Sequence, residues 1–270
     1  MKKLFSIVSV VAIIVWSCSP RPYAVTNKVY KQQVKAYARL LMQYPLKDSA
    51  GVHFVTDWAG TTNFSMRRPN FVVLHHTAQN SCDQTVKTFT TTSTQVSAHY
   101  VICRDGSVHH MLNDLLRAHH AGVSKWGNNT DLNSSSIGIE IDNNGFELFS
   151  DAQLASLIDL LGRLKRAYNI PAANFIGHAD VAPGRKVDPS RFFPWKQLAE
   201  KGFGLWYDTA HTQIPPDFNA VQALRIIGYN ISDSITAIQS FKIHFNPADT
   251  INKLTSSDKK IIADLVKKYQ

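Results

Sequence analysis

The fold class of this 270-residue chain is decided by a continuous apolar run, Phe71-Val72-Val73-Leu74-His75. An apolar run of this length without alternation is typical of a strand buried on both faces. Residues 137–141 and 174–178 predict two more strands, and between them Ser150 is a good N-cap for an amphipathic helix that ends at Tyr168. Strands that alternate with helices predict an α/β domain.

A β-hairpin is also predicted. Residues 99–103 and 108–111 lie on either side of Arg104-Asp105-Gly106-Ser107, and Asp-Gly is typical of a tight turn. We therefore expect a mixed central β-sheet flanked by helices.

Composition and charge limit the possible classes of protein. With 44% hydrophobic and 18% charged residues the chain can bury an ordinary core, which excludes the disordered, collagenous and coiled-coil classes. The net charge of +9 favours an anionic partner such as nucleic acid, a membrane surface or a cell-wall polymer. Residues 205–270 hold seven Lys and Arg against six Asp, so the basic character belongs to residues 1–204.

The first residues have the order of features of an export signal. Lys2 and Lys3 precede a largely apolar run, residues 4–16, which is too short to span a bilayer comfortably. We predict a signal peptide over residues 1–17 and a tether over residues 18–27. The stretch Val15-Trp16-Ser17-Cys18 resembles the bacterial lipobox, in which the cysteine is lipidated; ordinary signal-peptidase cleavage is the alternative.

Helical patterns flank the central domain. Residues 29–44 predict an amphipathic helix packed on the domain, and residues 219–227, 234–244 and 257–269 predict helices in the tail. We place the main domain with its N-terminal helix at residues 28–204 and a small C-terminal all-α module at residues 205–270.

Two cysteines remain if Cys18 carries lipid. An exported compartment permits a disulfide between Cys82 and Cys103. Two buried free thiols are the alternative, because the sequence gives no Cα separation.

Eleven histidines direct attention to metal binding, since imidazole is the commonest metal ligand among side chains. His75 and His76 point to opposite faces of a strand, and periodicity does not choose between them because both faces are apolar. His178 and Asp188 lie ten residues apart, so a loop must fold back for both to reach one ion, and Asp180 competes with Asp188 as the oxygen ligand. Two His and one carboxylate form a ligand set of catalytic zinc.

Glu140 is a candidate catalytic carboxylate. Residues 137, 139 and 141 share one strand face, which leaves Gly138 and Glu140 on the other. A carboxylate in so apolar a strand is costly unless it is paired, solvated or functional. A solvent-facing Glu140 is the alternative, but Gly138 beside it would leave room for a substrate.

Six motifs occur in a fixed order: Val72-Val73-Leu74-His75-His76-Thr77-Ala78, Ser97-Ala98-His99-Tyr100, Arg104-Asp105-Gly106, His120-Ala121-Gly122-Val123-Ser124, Ser136-Ile137-Gly138-Ile139-Glu140 and Gly177-His178-Ala179-Asp180-Val181-Ala182-Pro183-Gly184-Arg185-Lys186-Val187-Asp188-Pro189. Together they resemble the zinc N-acetylmuramoyl-L-alanine amidases of the amidase-2 type, whose fold peptidoglycan recognition proteins and phage T7 lysozyme share. The outer-membrane lipoprotein amidases of bacteria are the most similar in character.

The resemblance implies hydrolysis, by a zinc-activated water, of the amide between N-acetylmuramic acid and L-alanine of the peptidoglycan stem peptide. It implies that His75, His178 and Asp188 hold Zn²⁺. It further implies that Glu140 is the catalytic carboxylate and that Lys186 lies near the tetrahedral intermediate.

The same resemblance implies that His99 and His120 contact the substrate. The chain departs from the pattern at residue 119, where His119 stands in the place of a Trp that many bacterial members have. This substitution puts the sugar-stacking surface in doubt.

The tail has a weaker resemblance of its own. Its segments 223–229 and 237–245 look like a peptidoglycan-binding helical repeat. A helical extension docked on the catalytic domain is the alternative. Because every implied catalytic residue precedes Gly204, we expect residues 1–204 to fold and bind zinc without the tail.

Two rival functions are weighed against the amidase. A non-catalytic muropeptide-binding protein of the recognition type is disfavoured, because all three ligands and the carboxylate are present together. A nucleic-acid binder is disfavoured too, because the sequence has no zinc finger, helix-turn-helix or RNA-binding signature. We expect a monomeric, exported enzyme that faces the periplasm as an outer-membrane lipoprotein, with peptidoglycan and muropeptides as partners and a lipid anchor on Cys18.

Overall fold

A mixed β-sheet is the centre of the computed structural model, which describes residues 22–42, 61, 63, 65, 66 and 68–270. The strands are β1 Phe71–His76, β2 Tyr100–Ile102, β3 Val108–His110, β4 Ser136–Ile141 and β5 Phe175–Gly177, in the spatial order β3-β2-β4-β1-β5. β1 pairs in parallel with β4 and β5, and β2 pairs in parallel with β4 but antiparallel with β3. The predicted fold class and hairpin are confirmed.

Several helices begin at a residue whose side chain caps them. Ser150 and Thr255 each form a capping box, while the side chains of Asn219 and Asp233 accept backbone hydrogen bonds. The helices are α1 Ala24–Leu41, α2 Cys82–Thr90, α3 Leu132–Ser135, α4 Asp151–Tyr168, α5 His178–Val181, α6 Trp195–Glu200, α7 Ala220–Ile227, α8 Ser234–Phe245 and α9 Ser256–Tyr269.

The N-terminal helix differs in position from the prediction. Helix α1 begins at Ala24, so the last four residues of the predicted tether, 24–27, are helical. None of its residues is buried, and packing of this helix on the domain stays a prediction. The predicted signal peptide, Cys18 and the end of the predicted helix at Tyr44 lie outside the described residues. Among the described helices, none has the length and apolar character needed to cross a bilayer.

The sheet separates two apolar layers. On one face Val72 and Leu74 of β1 and the three isoleucines of β4 pack with the leucines of α4. On the other face Val73 of β1 and Ile176 of β5 belong to a second cluster, together with apolar residues of α7, α8 and α9. The two clusters explain why the apolar run in β1 does not alternate.

The C-terminal helices complete the second layer. Residues 66–270 form one compact unit, and Leu224, Phe241 and Ile262 share the second cluster with Val73 and Ile176. The expected boundary at residue 204 is therefore corrected, because the apolar stripes of the tail helices cover one face of the sheet. The alternative stated from the sequence, a helical extension docked on the catalytic domain, describes the structure.

A buried carboxyl group links the tail to the strand edge. Asp180, in α5, accepts hydrogen bonds from the hydroxyl of Tyr229 at 2.8 Å and from the backbone N–H of Gly177 at 2.7 Å. The Nδ1 atom of His244 lies 2.7 Å from the same carboxyl group, and the His244 ring stacks on Trp195 with 3.9 Å between ring centroids. These contacts tie α8 to the segment that follows β5.

Cys82 and Cys103, for which the sequence allowed either a disulfide or two free thiols, are paired in the structure. Cys82 at the start of α2 and Cys103 after β2 form a disulfide, with 5.3 Å between their Cα atoms. This separation lies within the usual range for a disulfide, about 4.4–6.8 Å.

Deletion of residues 205–270 should unfold the domain rather than release a stable core. It would expose side chains such as Val73, Leu132 and Ile176, whose burial stabilises the fold by about 1.5–3 kcal/mol each. The sum is comparable to the whole stability of a typical domain, about 5–15 kcal/mol. Circular dichroism and limited proteolysis of the truncated and full-length proteins test this. A truncated protein that unfolds cooperatively would contradict it.

The double variant Cys82→Ser/Cys103→Ser should lose about 3 kcal/mol of unfolding free energy, because the disulfide closes a loop over a sequence separation of 21 residues. Urea denaturation measures the loss. Wild-type protein reduced with dithiothreitol is the control and should unfold at the same urea concentration as the variant. A variant as stable as the oxidised wild type would show that the bond contributes nothing.

Candidate functional site

The register of the parallel strands brings three functional positions to one edge of the sheet. His75 of β1 lies opposite Glu140 of β4, and Leu74 lies opposite Gly177, the last residue of β5. His178 follows Gly177 directly and begins α5. The carboxyl ends of parallel strands are where α/β folds place their sites, and here they carry two histidines and a carboxylate.

His75, His178 and Asp188 form a tight, buried cluster. The Nδ1 atoms of the two histidines lie 2.9 Å apart, and each lies 3.0 Å from Oδ2 of Asp188. The backbone carbonyl of Asp188 accepts a hydrogen bond from the N–H of Ala179 at 2.7 Å, which folds the 182–188 loop back toward the strand edge. Asp180 does not join the cluster, because its carboxyl group faces Tyr229 and His244.

The positions of the ring protons in the cluster are those that metal binding requires. Nε2 of His178 lies 3.1 Å from the carbonyl oxygen of Ala121, which can only accept, so Nε2 carries the proton and Nδ1 of the neutral ring is a bare lone pair. That lone pair faces a second imidazole nitrogen and a carboxylate. A tetrahedral metal with bonds of about 2.0–2.1 Å holds its ligand atoms roughly 3.3 Å apart, close to the spacing of this cluster.

Burial and charge shift the pKa values of the cluster residues. Burial, followed by the positive charge of a protonated His178, lowers the pKa of His75 to about 4. Burial acts to raise the pKa of the Asp188 carboxyl group, but hydrogen bonds with the two histidines outweigh it and bring that pKa well below its usual range. At neutral pH the cluster therefore offers a neutral His75 and an ionised Asp188.

Glu140 lies beside the cluster but outside it. Its Oε1 atom is 3.9 Å from Nδ1 of His75, and 12% of its side chain is exposed. Burial, and then the negative charge of Asp188, raise the pKa of the Glu140 carboxyl group to about 8, while the positive charge of Lys186 opposes the rise. A carboxyl group with a pKa near neutrality is suited to accept and return a proton.

Lys186 is half-buried in the loop between His178 and Asp188. Its ammonium group acts to lower the pKa of Glu140, His75 and His76, so its charge is felt throughout the site. This electrostatic reach agrees with the position that the resemblance implies for it.

The structure corrects the substrate contact predicted for His99. Its side chain is fully buried. Its Nδ1 atom accepts a hydrogen bond from the N–H of Gly138 at 3.0 Å, and its Nε2 atom donates to the carbonyl of Leu116 at 3.0 Å. Both ring nitrogens therefore bind backbone groups, those of Gly138 in β4 and of Leu116.

The structure also corrects the space predicted at Gly138. A Cβ atom at this position would lie 2.4 Å from Cγ of His120, so the room beside Glu140 is filled by the His120 ring and not by a substrate. His120 is half-buried and directs its Nδ1 atom to Nε2 of His75 at 3.0 Å. His76, on the opposite face of β1, accepts a hydrogen bond from the N–H of Ser190 and takes no part in the cluster.

Two residues that hold the backbone of the 120–123 segment were not predicted from the sequence. Asn133 accepts hydrogen bonds from the backbone N–H groups of His120 and Ala121, at 3.0 and 2.8 Å. Arg185 donates to the carbonyl groups of Ala121 and Val123, at 2.6 and 2.7 Å. Arg185 lies within the last of the six motifs, Gly177 to Pro189, whereas no local sequence pattern marks Asn133.

The fold and the cluster define an α/β domain in which three residues that could hold a metal ion meet at a strand edge, and comparison with known proteins gives the family. Residues 65–191 match the Amidase_2 family, which is described as N-acetylmuramoyl-L-alanine amidase. The N-acetylmuramoyl-L-alanine amidase AmiD of Escherichia coli K12 is 32% identical over 235 residues, which cover 75% of this chain and 84% of that protein. The chain belongs to the Amidase_2 family of N-acetylmuramoyl-L-alanine amidases.

Solved structures agree with this assignment. AmiD from E. coli, in complex with the substrate anhydro-N-acetylmuramic acid-L-Ala-D-gamma-Glu-L-Lys, has a TM-score of 0.68 and 28% identity, over 82% of this chain and 97% of that one. AmpDh3 from Pseudomonas aeruginosa, in complex with an anhydromuramic pentapeptide, has a TM-score of 0.68 and 30% identity, over 81% of this chain and 99% of that one.

Proposed function

We propose that this protein is a zinc-dependent amidase that hydrolyses the bond between N-acetylmuramic acid and L-alanine in peptidoglycan or muropeptides. One observation carries the proposal: Glu140 lies beside the cluster of His75, His178 and Asp188, with its Oε1 atom 3.9 Å from Nδ1 of His75. A binding protein of the recognition type has no need of a carboxyl group poised beside the metal ligands.

The residues of the site divide the work. His75, His178 and Asp188 would hold the zinc ion, which when bound polarises a carbonyl group and lowers the pKa of water. Glu140 would accept a proton from the attacking water and return it to the leaving amine. Lys186 would offset the negative charge that develops on the substrate oxygen.

Solved relatives support muropeptides as the substrate class. AmiD and AmpDh3 were each solved with an anhydro-muramyl peptide. We infer that this chain accepts such peptides as well. The proposed contact of the tail with peptidoglycan stays a prediction, because its helices have a structural role in the second layer.

We further propose export and lipidation at Cys18, with the enzyme facing the periplasm from the outer membrane. The support is the order of features at the N-terminus: Lys2 and Lys3, the apolar run 4–16 and then the lipobox-like cysteine. Peptidoglycan lies in the compartment that such a signal reaches.

His178→Ala should lose zinc and activity together, because it removes one of three ligands from a cluster that holds the ion only as a set. Metal analysis of purified protein and mass spectrometry of digested muropeptides measure the two losses. Wild-type protein treated with a chelator should be inactive and should recover when zinc is added. His211→Ala, at an exposed histidine, is the matched control. Full zinc occupancy in His178→Ala would refute the ligand assignment.

Glu140→Gln should keep its zinc and its fold but lose roughly 10²–10⁴ in turnover, the usual contribution of a positioned acid–base group. The amide keeps the shape of the side chain and cannot accept the proton. Glu200→Gln, at an exposed helical position, is the matched control and should turn over normally. Wild-type turnover by Glu140→Gln would require another base.

Cys18→Ser should move the protein from the membrane fraction to the soluble fraction, because stable anchoring needs the acyl chains that the cysteine would carry. A wash at high salt separates this from electrostatic attachment of a chain with net charge +9, which salt would screen. If the variant fractionates like wild type after the salt wash, the lipobox interpretation is wrong.

A further inference from the structure

We propose that His120 is a positioning residue that holds the proton of His75 on Nε2, so that Nδ1, the nitrogen that faces His178 and Asp188, has a free lone pair. The inference rests on the proposed zinc site, but it concerns a hydrogen-bond chain within the protein. This chain runs from the carbonyl of Leu132 through Ser136 and His120 to His75. Its direction follows from which atoms can donate.

The fixed end of the chain is a backbone carbonyl. The hydroxyl of Ser136 donates a hydrogen bond to the carbonyl oxygen of Leu132. A carbonyl oxygen has no proton to give, so the hydroxyl proton of Ser136 points to Leu132. The lone pairs of Ser136 Oγ then remain for its second partner, Nε2 of His120, at 3.1 Å.

The proton positions of both histidines follow. Nε2 of His120 must donate to Ser136, so Nδ1 of its neutral ring is a bare acceptor. That acceptor lies 3.0 Å from Nε2 of His75, which must therefore carry the proton between the two rings. The remaining nitrogen of His75, Nδ1, is the atom that faces His178 and Asp188.

The two proposed metal-ligating histidines thus donate their Nε2 protons to different kinds of acceptor. A backbone carbonyl, that of Ala121, receives the Nε2 proton of His178. Among the residues that the structure describes, no carbonyl oxygen receives the proton of His75, and Nδ1 of His120 is the acceptor instead. Without such a partner His75 is free to carry its proton on Nδ1, where the proton blocks a metal ligand.

The surroundings hold His120 in this position. The backbone N–H of His120 donates to Asn133 at 3.0 Å. The absence of a side chain at Gly138 admits the ring, because a Cβ atom there would lie 2.4 Å from Cγ of His120. The rings of His75 and His120 are perpendicular, with 89° between their planes. Since both nitrogens of His120 bind other side chains, the geometry favours positioning over the substrate contact that the resemblance implies.

Zinc affinity is the first test. His120→Phe keeps a ring against Gly138 but removes the acceptor, and it should weaken zinc binding by roughly 10–100-fold, the usual effect of losing the partner of a metal-bound histidine. His120→Asn places an oxygen near the position of Nδ1 and should restore much of the affinity. Competition with a chromogenic chelator measures both, and His119→Phe, at the exposed neighbour, should bind zinc like wild type. Equal affinity in His120→Phe and wild type would overturn the proposal.

Nitrogen-15 spectroscopy of the metal-free protein is the second test. In wild type the proton between the rings should be on Nε2 of His75, and Nδ1 of His120 should be bare. Ser136→Ala removes the acceptor that fixes His120, so both positions of the proton should then be populated. A wild-type proton on Nδ1 of His120 would overturn the proposal, even if His120→Phe fails to fold. If wild type shows the expected proton but binds no zinc, the proposed zinc chemistry fails and the hydrogen-bond chain stands.

Discussion

The parallel pairing of β1 with β4 and β5 is the constraint on which the whole site depends. It sets His75 opposite Glu140 and ends β5 at Gly177, so that His178 begins at the same edge. Side chains alternate between the faces of a strand, and a slip of one residue in β1 would therefore turn His75 to the wrong layer and bring His76 to the cluster. The pairing of β1 with its neighbours therefore makes the choice between His75 and His76 that the apolar pattern of β1 does not make.

The second apolar layer links the stability of the domain to its chemistry. His75 lies on the same face of β1 as Val73, the face that the tail helices cover. The tail also reaches the site through Asp180, which lies two residues after His178 and accepts a hydrogen bond from Tyr229. The helices after residue 204 therefore support the cluster of His75, His178 and Asp188, although none of the three residues belongs to those helices.

Much of the fold and part of the site could be predicted from the sequence. The strands, the hairpin, the Ser150 cap and the mixed sheet follow from local patterns. The resemblance carried by the six motifs implies that His75, His178 and Asp188 lie together, and the structure brings them together. The choice between His75 and His76 was not available from periodicity, because both faces of their strand are apolar. The roles of His99 and Gly138 were also out of reach, because each depends on a contact with residues distant in the sequence.

Strand β4 contributes to the core with one face and to the site with the other. Its isoleucines fill one layer, while Gly138 and Glu140 lie on the other face. Glycine at 138 weakens a strand interior, since it has no side chain to pack. Here the missing side chain admits the His120 ring, and Nδ1 of that ring lies 3.0 Å from Nε2 of His75. The smallest residue of the strand is therefore as much a part of the site as the carboxylate two positions later.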